Sequence, residues 1–154
     1  MVTLGYSTDT IVCLLFRLGS EEFALPGTVV REVLRWRDPT PVPSAPTLLP
    51  GIITQRGGVL TVVDLRRLLS FAAPPPTRLT RYVVVSHDGL ELALIADAVV
   101  DLLELPASIL EVLPPAFNPQ RAQLLQAIAN RGGRPIALLD PAELVTTLRA
   151  EAQA

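Results

Sequence analysis

The chain has 154 residues with 49% apolar side chains, enough for one domain, or two very small ones packed together, with a buried core. Its net charge of −2 at pH 7 argues against a nucleic-acid binder that relies on counterion release. Cys13 is the only cysteine, so neither an intramolecular disulfide nor a cysteine-rich metal site can form. Aromatic residues make up 5%, while 15 prolines and nine glycines favour short strands joined by many turns.

The N-terminal region predicts a β-hairpin behind a flexible tail. Residues 1–10 are polar and are predicted to be flexible. Ile11–Leu18 then predicts a strand, with Cys13 buried and inert inside it, and Glu22–Leu25 predicts the return strand. No secretory signal is visible, and no apolar run approaches the roughly 20 residues of a spanning helix. We therefore expect a cytoplasmic protein that does not insert into a membrane.

The next segment, Val29–Arg37, alternates with a period of two and predicts a third strand. One face of this strand carries Val30, Leu34 and Trp36 together with Glu32. A charge at such a place can discourage edge-to-edge aggregation of strands. It can equally form the centre of an apolar docking patch, and the residues alone leave both interpretations of Glu32 open.

A strand–turn–strand unit follows the extended, proline-rich segment Pro39–Pro50. Gly51–Gln55 and Val59–Val63 are β-branched runs, and the glycine pair in the turn at 56–58 supplies the positive φ of a tight hairpin. Such a hairpin would present Arg56 rigidly at its bend, although an arginine in a turn is often simply solvated.

A short capped helix completes this unit. Asp64 offers a carboxylate to cap a helix over Leu65–Leu69, with Arg66 and Arg67 predicted to lie on its outer side.

Much of the unit occurs twice, at Leu48–Leu69 and at Leu124–Val145. The Arg-Gly-Gly triplets start 75 residues apart, at 56 and 131, whereas the capping aspartates at 64 and 140 are 76 residues apart. This difference predicts a one-residue insertion in the second returning strand. Two copies are too few for a solenoid, so a pseudo-symmetric pair of small barrels or sheets fits better. The copies would meet near Pro74–Pro76, and exchange of strands between the barrels stays open.

The second copy contains further predicted strands and a turn. Strands are predicted at Arg81–Ser86, Leu90–Ile95 and Val99–Leu105, and one helical turn is predicted at Pro106–Leu110. Asn118 could begin a helix that continues through the following residues. The repeat instead predicts a strand over Leu124–Asn130, and we follow the repeat.

The C-terminal end carries a clear helix signal. Asp140 at the N-cap, Pro141 at the first helical position and Glu143 at the third predict a helix over Pro141–Ala150. Residues 151–154 are predicted to form a second flexible tail.

No catalytic constellation is visible in the sequence. His87 is the only histidine and lies in a predicted turn, where a lone histidine is typically solvated. Glu21 and Glu22 are adjacent and point to opposite faces of a strand, so they do not form a carboxylate pair. The sequence contains no nucleophile elbow, phosphate loop, dinucleotide fingerprint or metal-ligand spacing. We therefore expect a non-enzyme without a cofactor or metal.

Several motifs, in register, carry a resemblance to a known family. They are Glu22–Pro26, Val30–Val33, Thr40–Pro46, Gly51–Gly57, Val62–Arg66, Ala93–Asp97 and Ile136–Asp140. In order and spacing they resemble the CheW-type chemotaxis coupling proteins over residues 11–148, nearly the whole chain. One visible departure is Thr54, where the family usually has asparagine.

The resemblance implies a fold and a role. It implies a mainly β fold of two small five-stranded SH3-like β-barrels packed together, with short helices including a C-terminal one. Residues 11–148 would form a single CheW-like domain with approximate repeat units at 11–73 and 81–148. The side chains predicted to be buried are Phe16, Phe23, Ile52, Val62, Leu92 and Leu138.

The implied function is that of a non-catalytic adaptor. Proteins of this family link the cytoplasmic tip of a methyl-accepting chemoreceptor to the regulatory domain of the histidine kinase CheA. The partner contacts of the family would carry over to Val30, Glu32, Gly51 and Arg56. An adaptor of the same type in another sensory pathway, such as surface motility, is the first alternative. A small-barrel nucleic-acid binder is the second, and the sparse aromatic residues weigh against it.

Overall fold

The computed structural model describes residues 10–114 and 118–152, and these residues form eleven strands and three α-helices. The strands are Thr10–Leu18 (β1), Glu21–Pro26 (β2), Val30–Arg35 (β3), Gly51–Gln55 (β4), Gly58–Val63 (β5), Arg81–His87 (β6), Leu90–Ala96 (β7), Ala98–Pro106 (β8), Leu110–Glu111 (β9), Leu125–Arg131 (β10) and Arg134–Leu139 (β11). The helices are Leu65–Leu68 (α1), Pro119–Ala122 (α2) and Pro141–Ala152 (α3), and 3₁₀ turns occupy Gly27–Val29 and Ala107–Ile109.

The predicted tails differ slightly from the structure at their inner ends. Thr10 is the first residue of β1, and residues 151 and 152 continue α3. Residues 1–9 and 153–154 lie outside the described residues, so the prediction for them is not tested.

The strands form two sheets, each of which closes into a small barrel. Barrel 1 has the order β8-β1-β2-β11-β10-β9, and barrel 2 has the order β3-β6-β7-β5-β4. Barrel 1 closes where Glu111 of β9 pairs with Ile128, and barrel 2 closes through a bridge between Thr40 and Ile52. If β8 and the two-residue β9 are taken as one bent strand, each barrel has five strands. The predicted mainly β fold with two small barrels is confirmed.

The barrels do not coincide with the two sequence units, because the strands are exchanged. Barrel 1 combines β1 and β2 of the first unit with β8 to β11 of the second, and barrel 2 combines β3 to β5 with β6 and β7. Four pairings join the two units, the parallel ones of β2 with β11 and β5 with β7 and the antiparallel ones of β1 with β8 and β3 with β6. The proline-rich stretch Pro74–Pro76 therefore joins two parts of barrel 2 and does not separate the barrels.

The predicted one-residue insertion is wrong. The amide of Asp64 donates to the carbonyl of Leu48 at 2.8 Å, and the amide of Asp140 donates to that of Leu124 at 2.8 Å, so both units repeat 76 residues apart. β5 and β11 both have six residues. The structural counterpart of Arg56 is thus a glycine, and Arg131 is the last residue of β10. The shared Arg-Gly-Gly letters are one residue out of structural register.

The helix-capping predictions are confirmed. The Asp64 carboxylate accepts from the backbone amide of Arg66, and the Asp140 carboxylate accepts from the amides of Ala142 and Glu143. Asn118 caps only the single turn of α2. The strand that the repeat predicted then follows as β10.

The core consists of one cluster inside each barrel and a larger one between the barrels. The burial predictions are confirmed for Phe16, Phe23, Val62, Leu92 and Leu138. Cys13 is also buried, as predicted, and desolvation raises the pKa of its thiol to about 11.

The burial prediction for Ile52 is wrong. Ile52 is only half-buried, and the buried residue is Ile53, which is 4% exposed and belongs to the cluster inside barrel 2. Neighbouring residues of a strand point to opposite faces, so only one of the two isoleucines can point into the barrel.

A buried ion network contradicts the predicted position of Arg66. Its side chain is 7% exposed and faces inward, where its Nε donates to Asp64 at 2.9 Å and its Nη1 donates to Asp97 at 2.8 Å. Nη1 also donates to the carbonyl of Pro74 at 3.3 Å. The second carboxylate oxygen of Asp97 accepts from the amide of Gly19, in the β1–β2 turn of barrel 1. Arg66 therefore connects α1 and the proline linker, and through Asp97 it reaches barrel 1.

Removing the buried cation is expected to destabilise the fold. Arg66→Met leaves the carboxylates of Asp64 and Asp97 without their cation, so the free energy of unfolding should fall by about 3–5 kcal/mol. Arg67→Met is the matched control, because Arg67 is 52% exposed and lies 3.9 Å from Asp64, and its effect should stay below about 1 kcal/mol. Urea denaturation of both variants measures the difference. Equal midpoints would contradict a structural role for the network.

The two adjacent isoleucines provide a direct test of burial in barrel 2. Ile53→Ala should lower the free energy of unfolding by about 2–5 kcal/mol, because it leaves a cavity in the core. Ile52→Ala deletes the same atoms from a half-buried site and should have a clearly smaller effect. Thermal melts of both variants make the comparison, and a larger effect of Ile52→Ala would show that the assignment of the faces is wrong.

Candidate partner-binding site

The structure brings together two of the four predicted contact residues. Nη1 of Arg56 lies 3.6 Å from Oε2 of Glu32, so the turn of the β4–β5 hairpin faces β3. The Arg56 side chain is 79% exposed, whereas that of Glu32 is 25% exposed. The two charges therefore form a solvent-facing ion pair at one end of barrel 2.

The backbone of the hairpin explains why Arg56 is held there. Gln55 pairs with Gly58, so the turn contains only Arg56 and Gly57, with φ values of 52° and 78°. Two successive positive φ angles are typical of a type I′ turn, the two-residue turn that matches the twist of a hairpin. Arg56 thus occupies a left-handed position that the sequence analysis assigned to glycine.

A chain of polar side chains supports the ion pair, and sequence reasoning missed it. Nε2 of Gln55 donates to Oε1 of Glu32 at 3.0 Å. Nη2 of Arg37 donates to Oε1 of Gln55 at 3.3 Å and also to the carbonyl of Thr54. The only sequence signal for Gln55 was its place next to Arg56. The contact of Arg37 depends on closure of barrel 2, which no local pattern shows.

The inner end of this chain is anchored in the core. The buried hydroxyl of Tyr82 donates to the carbonyl of Arg37 at 2.7 Å, and the Tyr82 ring stacks on Trp36 at 5.0 Å between centroids. Desolvation raises the pKa of the Tyr82 phenol to about 12, although Arg37 acts in the opposite direction. The phenol therefore remains a hydrogen-bond donor at neutral pH and fixes the backbone at Arg37.

The other two predicted contact residues, Val30 and Gly51, belong to the packing of the barrels. Val30 is half-buried and packs against the core between the barrels, and Leu34 and Trp36 pack against the core of barrel 2. The face that could have been an apolar docking patch is thus directed inward. Gly51 is buried, and a Cβ atom there would lie 2.2 Å from the carbonyl oxygen of Thr40.

The Glu32–Arg56 pair lies in an open cleft of about 440 Å³. Its charged lining residues are Arg31, Glu32, Arg56 and Glu91, and its apolar lining residues include Val59, Leu60 and Val84. Val59 is 62% exposed. Paired opposite charges around an accessible apolar surface suit non-covalent docking of another protein.

The remaining features of the described residues add no chemical centre. Across residues 10–114 and 118–152, no three histidine, cysteine, aspartate or glutamate side chains are placed to hold a metal ion. Among the same residues, no helix is long and apolar enough to cross a membrane. The prediction that His87 lies in a solvated turn is wrong: it is the last residue of β6 and is half-buried, because it pairs with Leu90 across the turn.

The comparisons with known proteins agree with a scaffold built from this double barrel. A family model described as a CheW-like domain matches residues 12–149. A chemotaxis protein CheW of Rhizobium meliloti is 30% identical over 125 residues, covering 81% of each chain. Protein FrzA of Myxococcus xanthus is 33% identical over 142 residues, covering 90% of this chain and 88% of the relative.

A solved structure supports the same family assignment. The crystal structure of the scaffolding protein TtCheW from Thermoanaerobacter tengcongensis superposes with a TM-score of 0.78 at 25% identity, covering 84% of this chain and 88% of the other. The chain belongs to the CheW-like domain family and is a CheW-type chemotaxis coupling protein. The resemblance found in the sequence is confirmed.

The close approach at Gly51 predicts a strong sensitivity to added volume. Gly51→Ala should break the bridge between Thr40 and Ile52 and lower the free energy of unfolding by about 1–3 kcal/mol, because the new methyl group overlaps a backbone oxygen. Gly58→Ala is the control in the same hairpin, since its Cβ would meet its nearest neighbour at 3.6 Å. Thermal melts compare the two variants. Equal melting temperatures would argue against this role of Gly51.

Proposed function

We propose that the cleft around Glu32 and Arg56 is a docking surface through which this coupling protein joins a chemoreceptor to CheA. The partners are the cytoplasmic tip of a methyl-accepting chemoreceptor and the regulatory domain of the kinase. The observation that carries the proposal is the exposed, weakly held ion pair at the rigid bend of a hairpin. Its charges are available to a partner because an exposed pair contributes only about 0–1 kcal/mol to folding.

The composition of the cleft supports a binding role. Its lining combines two arginines and two glutamates with glutamine, glycine and aliphatic side chains, so opposite charges surround an apolar surface that a partner can cover. The adaptor would work by holding two proteins together in the cytoplasm, where the receptor tip lies.

A second candidate is an equivalent adaptor in another sensory pathway. It is favoured by the 33% identity to Protein FrzA, which is not named as a chemotaxis protein. Capture experiments with receptor tips from each candidate pathway of the source organism separate the two, because an adaptor should bind its own receptor class more tightly.

Charge reversal at the ion pair tests the docking surface. Arg56→Glu and Glu32→Arg should each weaken assembly with the receptor tip and the kinase regulatory domain by at least tenfold, about 1.4 kcal/mol. The reason is that a partner group is then buried against a like charge. Thermal stability should change by only a degree or two. Titration calorimetry measures binding, and a melt of each variant measures stability.

Two further variants make the test specific. Arg35→Glu changes an exposed charge on the outward face of β3 and should leave binding unchanged. The double variant Glu32→Arg/Arg56→Glu restores an ion pair of reversed polarity, so it should fold normally and still bind poorly. Normal binding by both single variants would place the partner surface elsewhere. Unfolding of both would show that the pair holds the barrel together.

A further inference from the structure

We propose that Gln55 is a positioning residue that divides the carboxylate of Glu32 between the barrel and the partner. One oxygen is held by Gln55, and the other is left for a cationic side chain of the docking protein. This inference rests on the proposed function and deepens it, because it states which atoms are exchanged on binding.

The two oxygens of Glu32 have different surroundings. Oε1 accepts a hydrogen bond from Nε2 of Gln55 at 3.0 Å, which is a normal length for such a bond. Oε2 lies 3.6 Å from Nη1 of Arg56, which is too long for a good hydrogen bond. The first contact is therefore directional and short, whereas the second is a loose ionic contact that a partner can replace.

The amide of Gln55 can face only one way. Its oxygen accepts from the guanidinium of Arg37 at 3.3 Å, and its nitrogen donates to the carboxylate of Glu32. A flipped amide would direct its N–H groups at a cation and its oxygen at an anion, which is unfavourable on both sides. Because Arg37 is anchored through Thr54 and Tyr82, the orientation of Gln55 is fixed before a partner arrives.

This geometry defines the chemistry of the partner. When the loose contact opens, Oε2 of Glu32 needs a cation and the guanidinium of Arg56 needs a carboxylate. The cleft contributes two arginines and two glutamates and is neutral overall. It fits a segment that offers one basic and one acidic side chain beside an apolar residue, which would pack on Val59 and Leu60. A segment of the same net charge whose basic and acidic side chains were exchanged would place its cation at Arg56 and its carboxylate at Glu32, where each meets a like charge.

Two substitutions of Gln55 distinguish the loss of both hydrogen bonds from the loss of the bond to Glu32 alone. Gln55→Met keeps the length of the side chain and removes both bonds. Gln55→Glu keeps an acceptor for Arg37, removes the donor to Glu32 and adds a negative charge beside it. Gln126→Met is the control, because Gln126 donates one side-chain hydrogen bond to a backbone carbonyl in barrel 1.

Binding to a chemoreceptor cytoplasmic tip fragment, measured by titration calorimetry, is the first readout. Gln55→Met should weaken binding about tenfold, Gln55→Glu should weaken it further, and Gln126→Met should leave it unchanged. All melting temperatures should stay within a few degrees of the parent protein. Binding by Gln55→Met at parental strength would overturn the proposal.

The side-chain amide resonances of Gln55, recorded on the isolated protein, are the second readout. Glu32→Gln should shift these resonances, whereas Glu91→Gln, which changes a charge in the same cleft without a hydrogen bond to Gln55, should leave them in place. No shift with Glu32→Gln would overturn the positioning role. If the parent protein binds no receptor tip while the shift is present, the proposed function fails and the contact within the barrel stands.

Discussion

The arrangement of the two barrels depends on one buried cation. The guanidinium of Arg66 makes a two-point contact with Asp64, at 2.9 and 3.2 Å, and a single contact with Asp97 at 2.8 Å. Burial alone would lower the pKa of Arg66, but its bonds to the two carboxylates raise it, so it stays charged. A buried charge is tolerated only when its donors are satisfied. Here the carbonyl of Pro74 accepts from Arg66 and the amide of Gly19 donates to Asp97. The network thereby joins the linker and barrel 1 to the end of β5.

In the candidate site, by contrast with the buried Arg66 network, the outermost charges are in contact with solvent. Its polar chain starts at the buried Tyr82, passes through Arg37 and Gln55, and ends at Glu32 and the exposed Arg56. Hydrogen bonds gain strength where water is excluded and lose it where water competes. The contact between the buried hydroxyl of Tyr82 and the backbone carbonyl of Arg37 is therefore rigid, and the outer ion pair is replaceable. A surface prepared in this way loses little conformational entropy when a partner binds.

Local signals in the sequence predicted the elements of the fold better than their placement. A capping aspartate such as Asp64 acts within a few residues and was predicted correctly. The inward orientation of Arg66 was not predicted, because α1 is one turn long and two adjacent arginines do not show which of them faces the core. In the same way, two adjacent isoleucines in β4 do not show that Ile53 is the buried one. Glu32 was singled out by strand alternation and Arg56 by the hairpin turn, and the resemblance added their partner role. Gln55 and its hydrogen bonds came only from tertiary contacts.

The exchanged strands make the two halves of the chain mutually dependent. Ile136 pairs with Glu22 and Val62 pairs with Ala93, so each half completes a sheet of the other. A break of the backbone within Pro74–Pro76 would remove no strand pairing, because this linker lies outside both sheets. The two fragments would remain interlocked through both hydrophobic interiors and the shared cluster between them. Fragments expressed separately should accordingly be unable to fold alone and able to reconstitute the protein when they are mixed.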